Sequence, residues 1–138
     1  MKNLFSKLHE PALFALRVVV GGMFACHGVQ KLFGGFGEPS LPVGSQLWIG
    51  GLIELVTGVL IAVGLVTRLA SFLASGTMAV AYFQFHVDGV FADWHWLPMV
   101  NKGELAVVYC FLFLVFATSG PGRISLDRVV GLEHSPTT

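Results

Sequence analysis

Apolar residues run along this chain in four blocks, about 12–33, 47–66, 69–87 and 100–119, each closed by a cluster of turn formers. Each block is near the ~20 residues that a helix needs to cross a hydrocarbon core of about 30 Å. Gly34-Gly35-Phe36-Gly37-Glu38-Pro39, with Pro42, ends the first block, and Thr67-Arg68 makes a very tight turn between the second and third. Asp88-Gly89 through Pro98 separates the third from the fourth, which Gly120-Pro121-Gly122 stops. Glycine and proline interrupt helices because one supplies left-handed backbone and the other removes a donor. Short connections force consecutive helices to lie antiparallel. The pattern therefore predicts an all-α fold, a four-helix transmembrane bundle of up-down-up-down topology. It occupies one domain, 1–138, in which residues 128–138 form a flexible tail.

Lys2 and Lys7 precede the first block as they would in a signal peptide. Arg17 interrupts that block, however, and His27 and Lys31 stand where small residues would be needed for cleavage, so it reads as a retained span. Lys2, Lys7, Arg68, Arg123 and Arg128 fall on one side of the four spans, with Arg17 near it; Lys31 and Lys102 fall on the other. The positive-inside rule makes the first side cytoplasmic and places both termini there. Trp48, Trp94 and Trp96 then all map to the outer interface, where an aromatic belt is expected. The expected location is the cytoplasmic (inner) membrane, crossed several times.

Composition agrees. Of 138 residues, 54% are hydrophobic and 12% charged, about half the ~25% charge of soluble domains. Mean hydropathy is +0.76. Net charge is zero and no basic stripe exists, which excludes nucleic acid as a partner and leaves the lipid bilayer as the first one. Cys26 and Cys110 form no CxxC or zinc spacing and read as two small buried hydrophobes.

The exceptions to the apolar pattern carry the chemistry. Glu54 lies inside the second block, about 10 Å from its outer end at 1.5 Å per residue. A lone charge at bilayer centre costs roughly 2.5–3.5 kcal/mol on insertion scales, so it needs a partner. His27 and Lys31, one turn apart in the first block, lie at a matching depth. Gly50, Glu54 and Gly58 make one face of the second helix small; Arg17, Gly21, Gly28 and Lys31 share a face of the first. Small faces let membrane helices approach closely, so these two are expected to meet. His86 ends the third block on the same side, and Asn101 and Glu104 open the fourth. Six polar residues from four helices thus occupy one half of the membrane, with Gln30 and Gln84 near that level. A late histidine and an early Glu-Leu recur in each hairpin, a faint echo of a duplicated two-helix unit.

Three readings fit this cluster. In the structural one, ion pairs such as Lys31–Glu54 and His86–Glu104 hold the helices in register. In the second, His27, Lys31, Glu54, His86, Asn101 and Glu104 form a pocket for a quinone or other small redox substrate; histidine and lysine hydrogen-bond a carbonyl and the acid relays a proton. In the third, His27, His86, Glu54 and Glu104 bind zinc, iron or copper; this is the weakest, because no pair of these ligands is spaced i,i+3 or i,i+4. Arg17 is a structural charge that either snorkels to the cytoplasmic interface or pairs with a backbone carbonyl or an acid across the bundle.

Several stretches together resemble the DoxX family of small bacterial and archaeal membrane proteins. They are Leu16-Arg17 with His27-Gly28-Val29-Gln30-Lys31-Leu32-Phe33-Gly34, Glu54 with its glycines, Gly64-Leu65-Val66-Thr67-Arg68-Leu69-Ala70, Asn101-Lys102-Gly103-Glu104-Leu105-Ala106, and Gly120-Pro121-Gly122-Arg123-Ile124-Ser125-Leu126-Asp127. The resemblance implies a four-helix integral membrane protein. Members are linked to quinone-coupled sulfur oxidation, to thiol or oxidative-stress handling, to quinone and catechol detoxification, or to copper-peptide gene clusters. Fold-level likeness does not supply a reaction. The leading expectation is a membrane subunit of a redox system that binds a quinone or small thiol-linked substrate and acts with a soluble redox protein. The alternative is a non-catalytic scaffold or small-solute carrier whose cluster is structural.

Overall fold

A computed structural model describes residues 2–89 and 91–133. Among the described residues the fold is all-helical, with one isolated antiparallel bridge between Gly35 and Glu38. Helix α1 spans Lys2–Phe33, α2 Gln46–Val63 and α3 Thr67–Ala81; α3 runs on through a π-helical turn, Tyr82–Val87. Next come the one-turn α4, Pro98–Asn101, then α5, Glu104–Ser119, and a final turn α6, Leu126–Val129.

The boundaries differ from the sequence blocks for local reasons. Pro11 reads as a helix start, yet α1 extends through it to Lys2; proline removes one donor, and the flanking segment holds good helix formers such as Leu and Lys. Ser45 caps α2 by accepting from the Trp48 N–H at 3.2 Å. Gly64, left-handed at φ 74°, ends α2 three residues before the apolar block does, and its N–H returns to the Leu60 and Ile61 carbonyls. The fourth block is split. Lys102 turns left-handed (φ 61°), and the Gly103 N–H donates to the Asn101 side chain at 2.9 Å, so α4 stops and α5 begins afresh at Glu104.

Glycines set the closest approach in the molecule. A Cβ on Gly21 would lie 2.6 Å from the Ala62 nitrogen, and one on Gly28 would lie 2.4 Å from that of Leu55. Gly58 and Gly51 complete the seam from the α2 side. Early α1 residues meet late α2 residues, so the pair is antiparallel. The expected small-face contact forms, but through Gly51 and not Gly50, whose Cβ position faces open space. α3 packs along α5, where the Ser75 hydroxyl donates to the Cys110 carbonyl at 2.8 Å. Ala70, Ala74 and Met78 meet Tyr109, Phe113 and Phe116 in the core, and Phe24 of α1 packs its ring 4.6 Å from Phe113 and 5.3 Å from Tyr109.

The outward faces are apolar. Val19, Val56, Val59, Leu69, Phe72, Val108, Phe111 and Val115 are all exposed. Soluble monomers rarely show contiguous apolar patches beyond a few hundred Å². α1 from Phe5 onward and α2 are each long and apolar enough to cross a membrane; α5 is a shorter apolar helix. Cys26 also lies on an outward face, exposed and not buried as expected, because the Ala25 and Gly28 side of α1 takes the seam; Cys110 is half-buried against Ser75.

The segment after α5 folds back on the molecule. Asp127 accepts from the backbone N–H groups of Val66, at 2.6 Å, and Thr67, at 2.9 Å, and so caps the start of α3. The Glu133 carboxylate pairs with Arg68. Residues 128–133, assigned above to a flexible tail, are held by these contacts and by Leu132 N–H donating to the Asp127 carbonyl at 2.8 Å. Residues 134–138 lie outside the described residues.

Candidate functional site

Lys31 and Glu54 meet across the α1–α2 seam, Nζ to Oε1, at 2.5 Å. The close backbone approach at Gly28 and Gly51 brings them there: a Cβ on Gly51 would lie 2.7 Å from that of Lys31. The two partners differ in setting. The Lys31 side chain is 30% exposed and that of Glu54 only 3%. The second carboxylate oxygen, Oε2, is buried and has no hydrogen-bond partner. An unpartnered buried carboxylate oxygen is costly, since an acceptor taken from water without compensation loses about 1–3 kcal/mol or more.

Glu54 borders a cavity of about 210 Å³ together with His27, Lys31, His86, Lys102 and Tyr109, with an apolar wall that includes Phe24 and Met78. Among the described residues His27 has no hydrogen-bond partner; its ring stands edge-on to Tyr109 at 6.3 Å. The Tyr109 hydroxyl is buried and equally without a partner. Glu54, Tyr109 and His27 thus border one small space, and the first two each bury a polar atom that has no partner among the described residues. Buried polar groups are nearly always paired, so each such group calls for an explanation.

His86 reaches the cavity because α3 widens into the π-helical turn Tyr82–Val87. Such turns shift the side chains that follow and recur at functional sites. His86 Nδ1 lies 3.2 Å from the Asn101 carbonyl oxygen, and the ring stacks on Tyr82 at 6.3 Å. Among the described residues it forms no ion pair with Glu104. Glu104 is exposed in the first turn of α5 and stands outside the cavity, because the chain break at Lys102 and Gly103 turns it outward. Asn101 is also outside; its side chain ties the loop together, donating to the His95 carbonyl at 2.9 Å and to the Tyr82 hydroxyl at 3.4 Å. Gln84 pairs with Gln46 across α3 and α2.

Of the six residues named from sequence, the structure brings four together: His27, Lys31, Glu54 and His86. Lys102 and Tyr109 join them. The Tyr109 signal was a lone phenol inside the otherwise apolar run of α5. No three His, Cys, Asp or Glu side chains among the described residues converge enough to hold a metal ion.

Arg17 stands at the other end of the seam. It is 1% exposed, so it does not snorkel. Its guanidinium donates to the Pro121 carbonyl and, at 2.8 Å, to that of Ile124. It therefore does what the second sequence reading described, tying the chain after α5 to α1.

The sequence profile of the DoxX family matches residues 12–87, more than half of the chain. The chain belongs to the DoxX family. A protein of Haemophilus influenzae is 41% identical over 93% of this chain and 96% of its own length, and is described only as uncharacterized. A protein of Mycobacterium tuberculosis, 28% identical over 86% of this chain and 80% of its own, is described as an uncharacterized membrane protein. A third, from Bacillus subtilis, is 29% identical over 91% of each chain and carries the name "Putative oxidoreductase CatD". No solved structure matches the chain. Its DoxX membership, its membrane-protein relative and the apolar exterior described above agree that this is a membrane protein.

Proposed function

We propose that this DoxX chain is a membrane subunit of a redox system, and that it binds a quinone or a small thiol-linked substrate in the cavity beside Glu54. The observation that carries this reading is a buried carboxylate with one unpartnered oxygen, on a residue that borders a cavity together with His27 and Tyr109. The hydroxyl of a reduced ring placed there donates to Glu54 while accepting from Lys31, His27 or Tyr109, and as the ring loses two electrons to the redox partner Glu54 takes up the hydroxyl proton. That partner is a separate soluble protein, since the chain has no haem-attachment CxxCH and no nucleotide-binding glycine loop. The naming of the Bacillus subtilis relative as an oxidoreductase supports this class over a purely structural one.

The same reading takes α1, α2, α3 with its π-helical turn, and α5 as four spans of an up-down-up-down bundle. Both termini are cytoplasmic, in the inner membrane, and the cavity lies in the outer half. In a variant with Cys26→Ser and Cys110→Ala, Val43→Cys in the α1–α2 loop reacts with a membrane-impermeant maleimide on intact cells. Val129→Cys reacts only after lysis. Labelling of Val129→Cys from outside overturns the orientation.

The binding claim is tested by thermal unfolding of the purified protein with a benzoquinone ring compound in its oxidised and its reduced, hydroquinone form, and by extracting co-purified quinone for mass spectrometry. The expected result is a rise in the midpoint that Glu54→Gln abolishes. If neither quinones nor small thiols shift the midpoint, the cluster is structural.

A further inference from the structure

A second space adjoins the first. Between α2 and α3 runs a groove of about 590 Å³, within the ~300–1,000 Å³ usual for ligand sites. Its walls are Ile49, Ile53, Phe72, Leu73 and Val80, and its floor is opened by two glycines. A Cβ on Gly50 or on Gly76 would touch nothing within 4 Å. Lys31, Glu54, Ala81 and His86 border both the groove and the 210 Å³ cavity, so the ion pair stands at their junction. At the outer end the Gln46–Gln84 hydrogen bond links α2 to the π-helical turn.

We infer that the groove holds the hydrocarbon chain of a ligand whose polar ring sits at Glu54, so that the site is entered sideways from the bilayer. This rests on the ring-binding cavity proposed above and adds what kind of molecule fills it: a neutral hydrogen-bonding head on a single long apolar chain. Three features select that occupant. The groove is lined by aliphatic and aromatic side chains along its length, which suits a hydrocarbon. It ends at a buried carboxylate with a free oxygen, which requires a donor or a shared proton there. Lys31 already pairs with that carboxylate, so the junction is close to neutral and suits an uncharged head; adducts that added phospholipid competes and the unlabelled compound does not would overturn this choice of occupant. The glycines explain the shape, since any side chain at 50 or 76 would stand where the chain runs.

The test uses a hydroquinone, whose hydroxyl supplies that donor, carrying a long alkyl chain with a terminal diazirine, added to the purified full-length protein and irradiated. Adducts are expected on Ile49, Phe72, Leu73 or Val80 and are competed by the unlabelled compound. Gly76→Phe, which fills open space, removes them while the chainless ring still raises the unfolding midpoint. Gly22→Phe, also on open space but on α1, leaves the adducts in place. Adducts elsewhere, or adducts that Gly76→Phe does not change, with the ring still stabilising, overturn the sideways groove and leave the ring site standing. Failure of the ring itself to stabilise overturns both.

Discussion

Arg17 and Glu54 are both buried charges, 1% and 2% exposed, on the two helices of one seam. Around Arg17 the structure is filled. A Cβ on Gly64 would lie 2.7 Å from the guanidinium carbon, two carbonyls accept from it so that only Nε lacks a partner among the described residues, and Asp127 lies within electrostatic reach while both its own oxygens cap α3. Around Glu54 the structure is hollow. One oxygen meets Lys31; the other has no partner among the described residues, and Glu54 borders a cavity together with Tyr109 and His27. A buried charge serves assembly when the protein packs against it and ties segments together through it. It is poised for a ligand when the protein leaves part of it unsatisfied next to space. By that criterion the two ends of the seam do different work.

The largest expected effect comes from breaking the filled end. Arg17→Met leaves the Pro121 and Ile124 carbonyls without their donor and Asp127 without a nearby cation. Removing one partner of a buried charge network costs about 3–5 kcal/mol. The unfolding midpoint and the yield of folded protein should fall sharply, while whatever folds still shows its full ligand response. If Arg17→Met were as stable as the parent protein but lost that response, the roles assigned to the two ends would be reversed.

This contrast marks the limit of what the chain reveals unfolded. The helical blocks, the turn at Thr67 and the polarity of Glu54, His27 and Lys31 are written in periodicity and in isolated charges, and Lys31–Glu54 pairing follows from the need to compensate a buried acid. The four-residue glycine spacing predicts a close seam, but it does not say which of Gly50 and Gly51 faces α1; neighbours differ by only 100° of rotation, and packing decides. Glu104 looked equivalent to Glu54 because each belongs to an early Glu-Leu in the second helix of its hairpin. A single left-handed residue, Lys102, and the restart of α5 turn it outward. Asp127 capped a helix 60 positions away, and no local pattern announces so distant a contact. The empty space itself has no sequence signature, because it depends on what the side chains leave unfilled.

A smaller effect separates the two substitutions at the hollow end. Glu54→Gln keeps an acceptor for the Lys31 ammonium, and Lys31 is partly exposed, so the loss of stability should be on the order of 1 kcal/mol, below that of Arg17→Met. Glu54→Leu removes the acceptor and costs more, though less than breaking a fully buried pair, because Lys31 reaches water. Both should abolish stabilisation by a benzoquinone ring. Thermal unfolding with and without the ring reads all four states. Equal, parent-like behaviour of both variants would show Glu54 to be dispensable, and the hollow end would lose its claim to function.

The smallest change gives the sharpest sign. The Tyr109 hydroxyl is buried without a partner, so in the unliganded protein it contributes desolvation cost and no compensating bond. Tyr109→Phe removes only that oxygen and keeps the ring that packs on Phe24 and Phe113. The unliganded protein should therefore be as stable as its parent or more so, by up to about 1 kcal/mol. If the hydroxyl awaits a ligand, the same substitution should shrink the midpoint shift produced by the benzoquinone ring, so stability and ligand response move in opposite directions. A hydroxyl that is merely structural gives a different result: a loss of stability and an unchanged shift. That outcome would make Tyr109 part of the filled architecture that Arg17 represents, and would leave His27 and Glu54 alone to hold the ligand.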